Sequence, residues 1–157
     1  MKLQFWTVGK AHEIYVQEGI ELFTKRITNY FPVEWIILPP PKNAPSMEGK
    51  ELKKKEGEYI LSQLKKDDYL ILLDEKGVQV TSPQFSEFID KKQLGSVSNL
   101  VFVVGGPYGF DEAVYHRAND KISLSKMTFS HQMVRLFFVE QLYRAFTILR
   151  GEPYHHA

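Results

Sequence analysis

Apolar positions along the chain fall into two rhythms. One is the short, nearly unbroken run. Tyr69 to Leu73 and Leu100 to Val104 are five-residue apolar stretches bounded by turn residues. Runs that do not alternate suit strands buried on both faces, as in a parallel sheet. Residues 3–8 and 33–38 are rich in strand formers, and 121–125 reads as a further short strand.

The other rhythm has steps of three and four. Val16, Ile20, Phe23, Ile27 and Tyr30 draw one face of a helix that Pro32 closes. Ser82 followed by Pro83 predicts a helix start, with Phe85, Phe88 and Ile89 behind it. A charged segment from Met47 to Lys65 predicts a helix with a thin apolar face (Leu52, Tyr59, Ile60, Leu64), weakened by Gly57. Pro39 to Pro41 forbid regular structure, and a short helix is expected near Asp111 to Arg117. The last helix, from about His131 to Leu149, stops at Gly151 and Pro153. Strand and helix alternate throughout, which predicts an α/β class with a largely parallel sheet in one domain spanning 1–157.

That last helix changes the picture. Its apolar residues, from Met133 to Leu149, cover nearly the whole circumference. A helix apolar on all sides must be buried on all sides. One face can meet the sheet, and the other is expected to meet a second subunit. Among its polar exceptions, Glu140 and Arg144 stand at i, i+4 in the favourable order, and His131 and Arg135 share a face at the same spacing.

Composition narrows the function. The chain has 157 residues, 43% hydrophobic and 25% charged, which excludes a disordered protein. No cysteine is present, so there is no disulfide or thiolate chemistry, and a reducing, cytoplasmic setting is expected. No apolar run approaches the roughly 20 residues of a membrane span, and the residues from Met1 to Trp6 do not lead one to expect a signal segment. Nothing has metal-ligand spacing, so no metal is expected. Lysine and arginine total 20 against 19 acids, a formal +1. Proteins that hold nucleic acid mainly through phosphates show a clearer basic excess.

Ligands of open α/β sheets settle at the carboxyl ends of strands. Three segments fall there: Leu73 to Gly77, Gly105 to Gly109, and Leu124 to Phe129. The glycine loop matches neither the dinucleotide fingerprint nor a phosphate loop, and alone reads as a tight strand-to-helix turn. The interleaved charges from Lys50 to Glu58 read as a solvated helix face.

Three stretches together resemble one family: Val103 to Gly109, Leu124 to Arg135, and Glu140 to Phe146. Residues 2–4, 8–10, 55–58 and 151–155 match it as well, so the likeness spans essentially the whole chain. The family is the RlmH-type ribosomal RNA large-subunit methyltransferases of the SPOUT group, which methylate N3 of a pseudouridine in 23S RNA. The resemblance implies a parallel α/β fold with a C-terminal trefoil knot, which no periodicity argument proposes. It implies a homodimer, S-adenosylmethionine as cofactor and 23S RNA within the ribosome as partner. The cofactor site carries over onto Leu73, Gly105, Leu124, Ser125, Lys126, Met127, Thr128 and Phe129. Substrate-side candidates are Arg135, Arg144, Tyr154 and His155, with His131 beside them. In a dimer of this kind they are expected to serve the cofactor of the opposite subunit. A SPOUT enzyme acting on transfer RNA or another ribosomal site, and a ribosome-associated protein without activity, are the alternatives.

Overall fold

The computed structural model describes residues 1–106 and 108–156. Strand β1 (Lys2–Val8) leads into helix α1 (Ile14–Ile27), then β2 (Val33–Leu38) and a single 3-10 turn at Ala44–Ser46. Helix α2 (Gly49–Gln63), β3 (Tyr69–Gln79), α3 (Ser82–Leu94) and β4 (Asn99–Val104) follow. The chain ends with α4 (Glu112–Arg117), β5 (Asp120–Ser123) and α5 (Met133–Leu149). The five strands form one sheet in the order β2-β1-β4-β3-β5, every neighbouring pair parallel.

The unbroken apolar runs are explained by what covers the sheet. Leu3, Phe5, Ile71, Leu73, Leu100, Phe102 and Val104 point to one side, where α1, α3 and α5 supply Val16, Ile20, Phe85, Ile89, Phe138 and Leu142. Trp6, Leu70, Leu72, Val101 and Val103 point to the other, where they meet Ile60 of α2 and Val114 of α4. Alternate residues of one run thus enter two different cores, as a strand's period of two requires. Helix α3 starts on a full capping box, Thr81 accepting the Gln84 N–H while the Gln84 side chain accepts that of Thr81.

Three departures from the sequence expectation shape the site. Strand β3 does not stop at Leu73. Ile122 of β5 is paired with Leu73 and again with Val78, so residues 74–77 form an excursion between two stretches of one strand. Gly77 permits it: a Cβ there would lie 2.7 Å from the backbone of Lys121 and Ile122. Strand β5 stops at Ser123 rather than Ser125, and α5 starts at Met133 rather than His131, freeing residues 124–132 as a loop. Gly57 has its reason too. Its bare Cα faces Asp111 and Val114, each 3.1 Å from where a Cβ would stand, so α2 and α4 cross closely.

Helix α5 lies between α1 and α3 on one face of the sheet. Phe138, Val139, Leu142, Ala145 and Phe146 are buried within the chain. The all-round apolar surface is therefore met mostly by two flanking helices and the sheet. A strip around Phe137, 42% exposed, and Leu149 at the helix end remain open.

Candidate active site

A pocket of about 370 Å³ opens beside the excursion within β3 and at the carboxyl ends of β4 and β5. Its walls come from three segments. Leu73, Asp74 and Glu75 begin the β3 excursion; Val104, Gly105, Gly106, Gly109 and Phe110 form the glycine loop; residues from Ile122 through Leu124, Ser125 and Met127 to His131 close the third side, with Val134.

Each wall is held by identifiable contacts. The glycine loop turns on a bond from Gly109 N–H to Gly106 C=O, with Gly109 at φ +79°. Gly105 lies against the Phe110 ring, and a Cβ there would come within 2.9 Å of it. Serines shape the third wall: Ser123 Oγ donates to Ser125 C=O (3.0 Å), Ser125 Oγ accepts the Met127 N–H (3.0 Å), and Ser130 Oγ accepts the Met133 N–H (3.1 Å). Asp74 accepts from the Tyr115 hydroxyl of α4 (2.7 Å), and burial, followed by this bond, raises that phenol's pKa.

Seven of the eight expected cofactor residues (Leu73, Gly105, Leu124, Ser125, Met127, Thr128 and Phe129) line this one pocket. Lys126 belongs to the same loop but is exposed and not in the lining. His131 lines the pocket mouth and is itself exposed.

The substrate-side candidates separate into two groups. Arg144, Tyr154 and His155 meet around Glu140. The Glu140 Oε1 accepts from Arg144 Nη2 (2.6 Å) and Nε (3.1 Å) and from the Tyr154 hydroxyl (3.0 Å). Arg144 also sits 4.8 Å from the centre of the Tyr154 ring. Its Nη1 lies 3.1 Å from His155 Nδ1. A guanidinium only donates, so Nδ1 is the acceptor in this contact and Nε2 is left as the donor nitrogen. Burial, then the bond to Glu140, raises the Tyr154 pKa.

Arg135 lies apart. It is 1% exposed and, among the described residues, has no carboxylate partner. Its Nη2 donates to the Lys10 carbonyl (2.9 Å) and its Nη1 to His12 Nδ1 (3.3 Å), while the buried Nε is unpartnered. Gln132 grips the same loop, donating to Ala11 C=O (3.1 Å) and accepting the Glu13 N–H (2.9 Å). Burial depresses the Arg135 pKa; burial and then the Arg135 charge depress that of His12. The loop over residues 9–13 is thus fastened to the start of α5. No sequence motif marked His12 or this clamp.

Glu56 was also read differently from sequence. It is 7% exposed, facing the glycine loop rather than water. Its carboxylate oxygens stand 2.8 and 2.9 Å from where a Cβ on Gly106 would be. No hydrogen bond to it is made among the described residues, and burial raises its pKa. The signal was present but faint, since Glu56 shares a helical face with Ile60 at i, i+4.

Comparison with known proteins agrees with this architecture. A family model described as a predicted SPOUT methyltransferase matches residues 1–155. A relative from Cytophaga hutchinsonii is 55% identical over 99% of this chain and 100% of its own. One from Parabacteroides distasonis is 54% identical over 99% of both. Both carry the name ribosomal RNA large subunit methyltransferase H. Among solved structures, the tRNA (m1G37) methyltransferase of Aquifex aeolicus shares the fold at TM-score 0.56 and 17% identity, covering 100% of this chain and 76% of that one. With a family model over nearly its full length and relatives above half identity, the chain belongs to the SPOUT methyltransferases.

Proposed function

We propose that this enzyme transfers the methyl group of S-adenosylmethionine to N3 of a pseudouridine in 23S ribosomal RNA, as a cytoplasmic homodimer acting on the assembled ribosome. The carrying observation is the convergence of seven carried-over cofactor positions on one pocket, in a chain whose relatives bear the name of a ribosomal RNA methyltransferase. The pocket suits an adenosyl ligand. Leu73, Val104, Phe110, Ile122 and Leu124 offer apolar surface, and Ser123, Ser125 and Thr128 offer hydroxyls. Bound there, the cofactor supplies an activated sulfonium methyl, so the protein's main task is placement.

The imide nitrogen must lose its proton to attack, and the anion then has to be stabilised. Arg144 and the Nε2–H of His155 are donors, and Glu140 and Tyr154 hold Arg144 in position. This set favours stabilising a uracil-type anion over accepting its proton. Arg135 acts at one remove in this reading, fixing the 9–13 loop. His131, at the pocket mouth, is the remaining candidate beside the methyl donor.

A homodimer supplies a geometric need. Val134 lines the pocket, whereas Arg144 is ten residues further along α5, about 15 Å at 1.5 Å per residue. Arg144, Tyr154 and His155 therefore serve the pocket of the opposite subunit. Mixing a Gly105→Trp chain with an Arg144→Ala chain tests this. Heterodimers are expected to regain up to about half of wild-type activity, one complete site of two; an inactive mixture overturns the arrangement.

We further infer that the C-terminal part is knotted. The backbone contact of Gly77 with β5, and the passage of residues 124–132 from an edge strand to a helix set between α1 and α3, support that path.

The near-neutral charge gives the function its test. With a net charge of +1, shape and ribosomal contacts must supply positioning that a basic surface would otherwise give. Whole ribosomes are expected to accept labelled methyl groups, with the modified nucleotide mapping to a pseudouridine, and short naked RNA to accept little. Comparable rates on both refute the ribosome requirement, and a modified position in transfer RNA refutes the substrate.

A further inference from the structure

A net charge of +1 conceals a local segregation on α2. Lys50, Lys53 and Lys54 fall on one stripe that continues to Gly57, at helical spacings of three and four. Glu51, Lys55 and Glu58 fall on a second stripe, with Glu48 at its cap, and there Lys55 pairs with Glu58 at 3.7 Å. Charges interleaved in sequence are thus sorted by the helix into a basic flank and an acidic one. Lys50 and Lys54 are exposed and Lys53 is half-buried. None of the three has a salt-bridge partner among the described residues. The carboxylates on their side are Glu56, which is buried, and Asp111, whose Oδ2 lies 3.8 Å from where a Cβ on Gly57 would stand.

The stripe also has a fixed place. Helix α2 follows β2 and leads into β3, so it starts at the carboxyl edge of the parallel sheet, where the pocket opens. Its first residue, Gly49, packs on Tyr108, where a Cβ would come within 2.8 Å of the ring. Tyr108 belongs to the glycine loop that walls the pocket and is 56% exposed. Lys50 to Lys54 follow that contact within about 8 Å along the helix axis. The close crossing of α2 and α4 at Gly57 holds the far end of the stripe.

We propose that Lys50, Lys53 and Lys54 form an RNA-docking ridge, which grips phosphates of the strand beside the target nucleotide while Tyr108 joins the ridge to the pocket. This rests on reading the chain as a ribosomal RNA methyltransferase. Uncommitted ammonium groups on flexible stems suit a row of phosphates, and the acidic flank of the same helix confines the strand to one side. The ridge is small. Three phosphate contacts register an acceptor that the ribosome's shape already presents, and they hold short naked RNA weakly.

The test is methyl transfer to whole ribosomes at several salt concentrations. It compares wild type with the triple variant Lys50→Gln, Lys53→Gln, Lys54→Gln. A charge-matched control, Lys65→Gln, Lys66→Gln, Lys91→Gln, alters exposed lysines at the opposite, amino edge of the sheet. The ridge variant is expected to raise the KM for ribosomes about tenfold and to flatten its logarithmic salt dependence by roughly two to three. Its kcat and its affinity for S-adenosylmethionine should stay within about twofold of wild type, because no ridge lysine lines the pocket. The control should match wild type. Unchanged KM and salt slope in the ridge variant, or equal changes in the control, overturn the ridge and leave the methyltransferase reading standing.

A second measurement holds even if the triple variant folds poorly. The chain has no cysteine, so Glu51→Cys takes a thiol-linked photo-crosslinker at one place beside the intact lysines. RNA is expected to carry the label. Label confined to ribosomal protein overturns RNA as the occupant. Activity on transfer RNA with the same loss in the ridge variant keeps the ridge and removes the ribosomal substrate. A folded wild type that methylates no RNA removes the functional reading, and this inference with it.

Discussion

A Gly105→Trp variant is expected to lose at least about 100-fold in affinity for S-adenosylmethionine while melting within a few degrees of the wild type. The reasoning is steric. Gly105 is the first residue beyond β4 and part of the pocket wall, and a Cβ there already meets the Phe110 ring at 2.9 Å. An indole can be placed only by displacing that ring or by entering the cavity, and both routes consume volume that an adenosyl ligand needs. With a pocket of about 370 Å³, loss of a third of the space removes room for one whole ring system. The fold is insulated from the change. Gly105 lies outside the strands, and its φ is not among the positive ones. Calorimetric titration beside a thermal melt separates the two effects. An affinity within threefold of wild type would place the cofactor elsewhere, and a melting point lower by more than about 10 °C would make the variant uninformative about binding.

How much of this was legible in sequence depends on the range of the forces involved. The apolar runs at 69–73 and 100–104 show themselves because a strand covered on both faces needs an apolar residue at every position. The start of α3 was legible for a local reason, its Ser-Pro opening, although the cap is Thr81, one residue before the expected Ser82. The second half of β3 was not. Asp74-Glu75-Lys76-Gly77 has turn composition, and what returns the chain to the sheet is the backbone of β5, some 45 residues away.

The site shows the same division. The segments after Leu73, Val104 and Ser123 were predictable as pocket walls, because ligands of parallel sheets bind where strands end, although β3 resumes at Val78 beyond the first of them. Glu56 and the clamp of Arg135 on the 9–13 loop were not. A carboxylate among interleaved lysines gives no sign of which way it faces, and an arginine on an apolar helix gives none of whether it meets solvent, substrate or a backbone carbonyl. Only the tertiary contact of α2 with the glycine loop turns Glu56 inward.

Replacing Phe138 with alanine is expected to cost about 3–5 kcal/mol of stability, the usual range for a buried aromatic cut back to a methyl. Phe138 is 1% exposed and central to the aromatic core, with ring centres 4.7 Å from Phe102, 5.5 Å from Phe5 and 5.9 Å from Phe85. Those partners sit on β4, β1 and α3, so the cavity would open where three elements converge and none can collapse alone. In a chain of this length that loss is expected to lower the melting point by roughly 6–20 °C. Phe137→Ala, one position earlier, is the control. Its ring is 42% exposed and packs on Phe129, so truncation should cost the isolated fold less than about 1 kcal/mol. A helix apolar around its circumference does not reveal from sequence which residues face the sheet. Measured melts for the two variants give that orientation directly, and equal losses would mean that α5 is turned differently from the structure. If the strip around Phe137 is where a second subunit docks, sedimentation should show Phe137→Ala weakening the dimer at concentrations where Phe138→Ala, while still folded, does not.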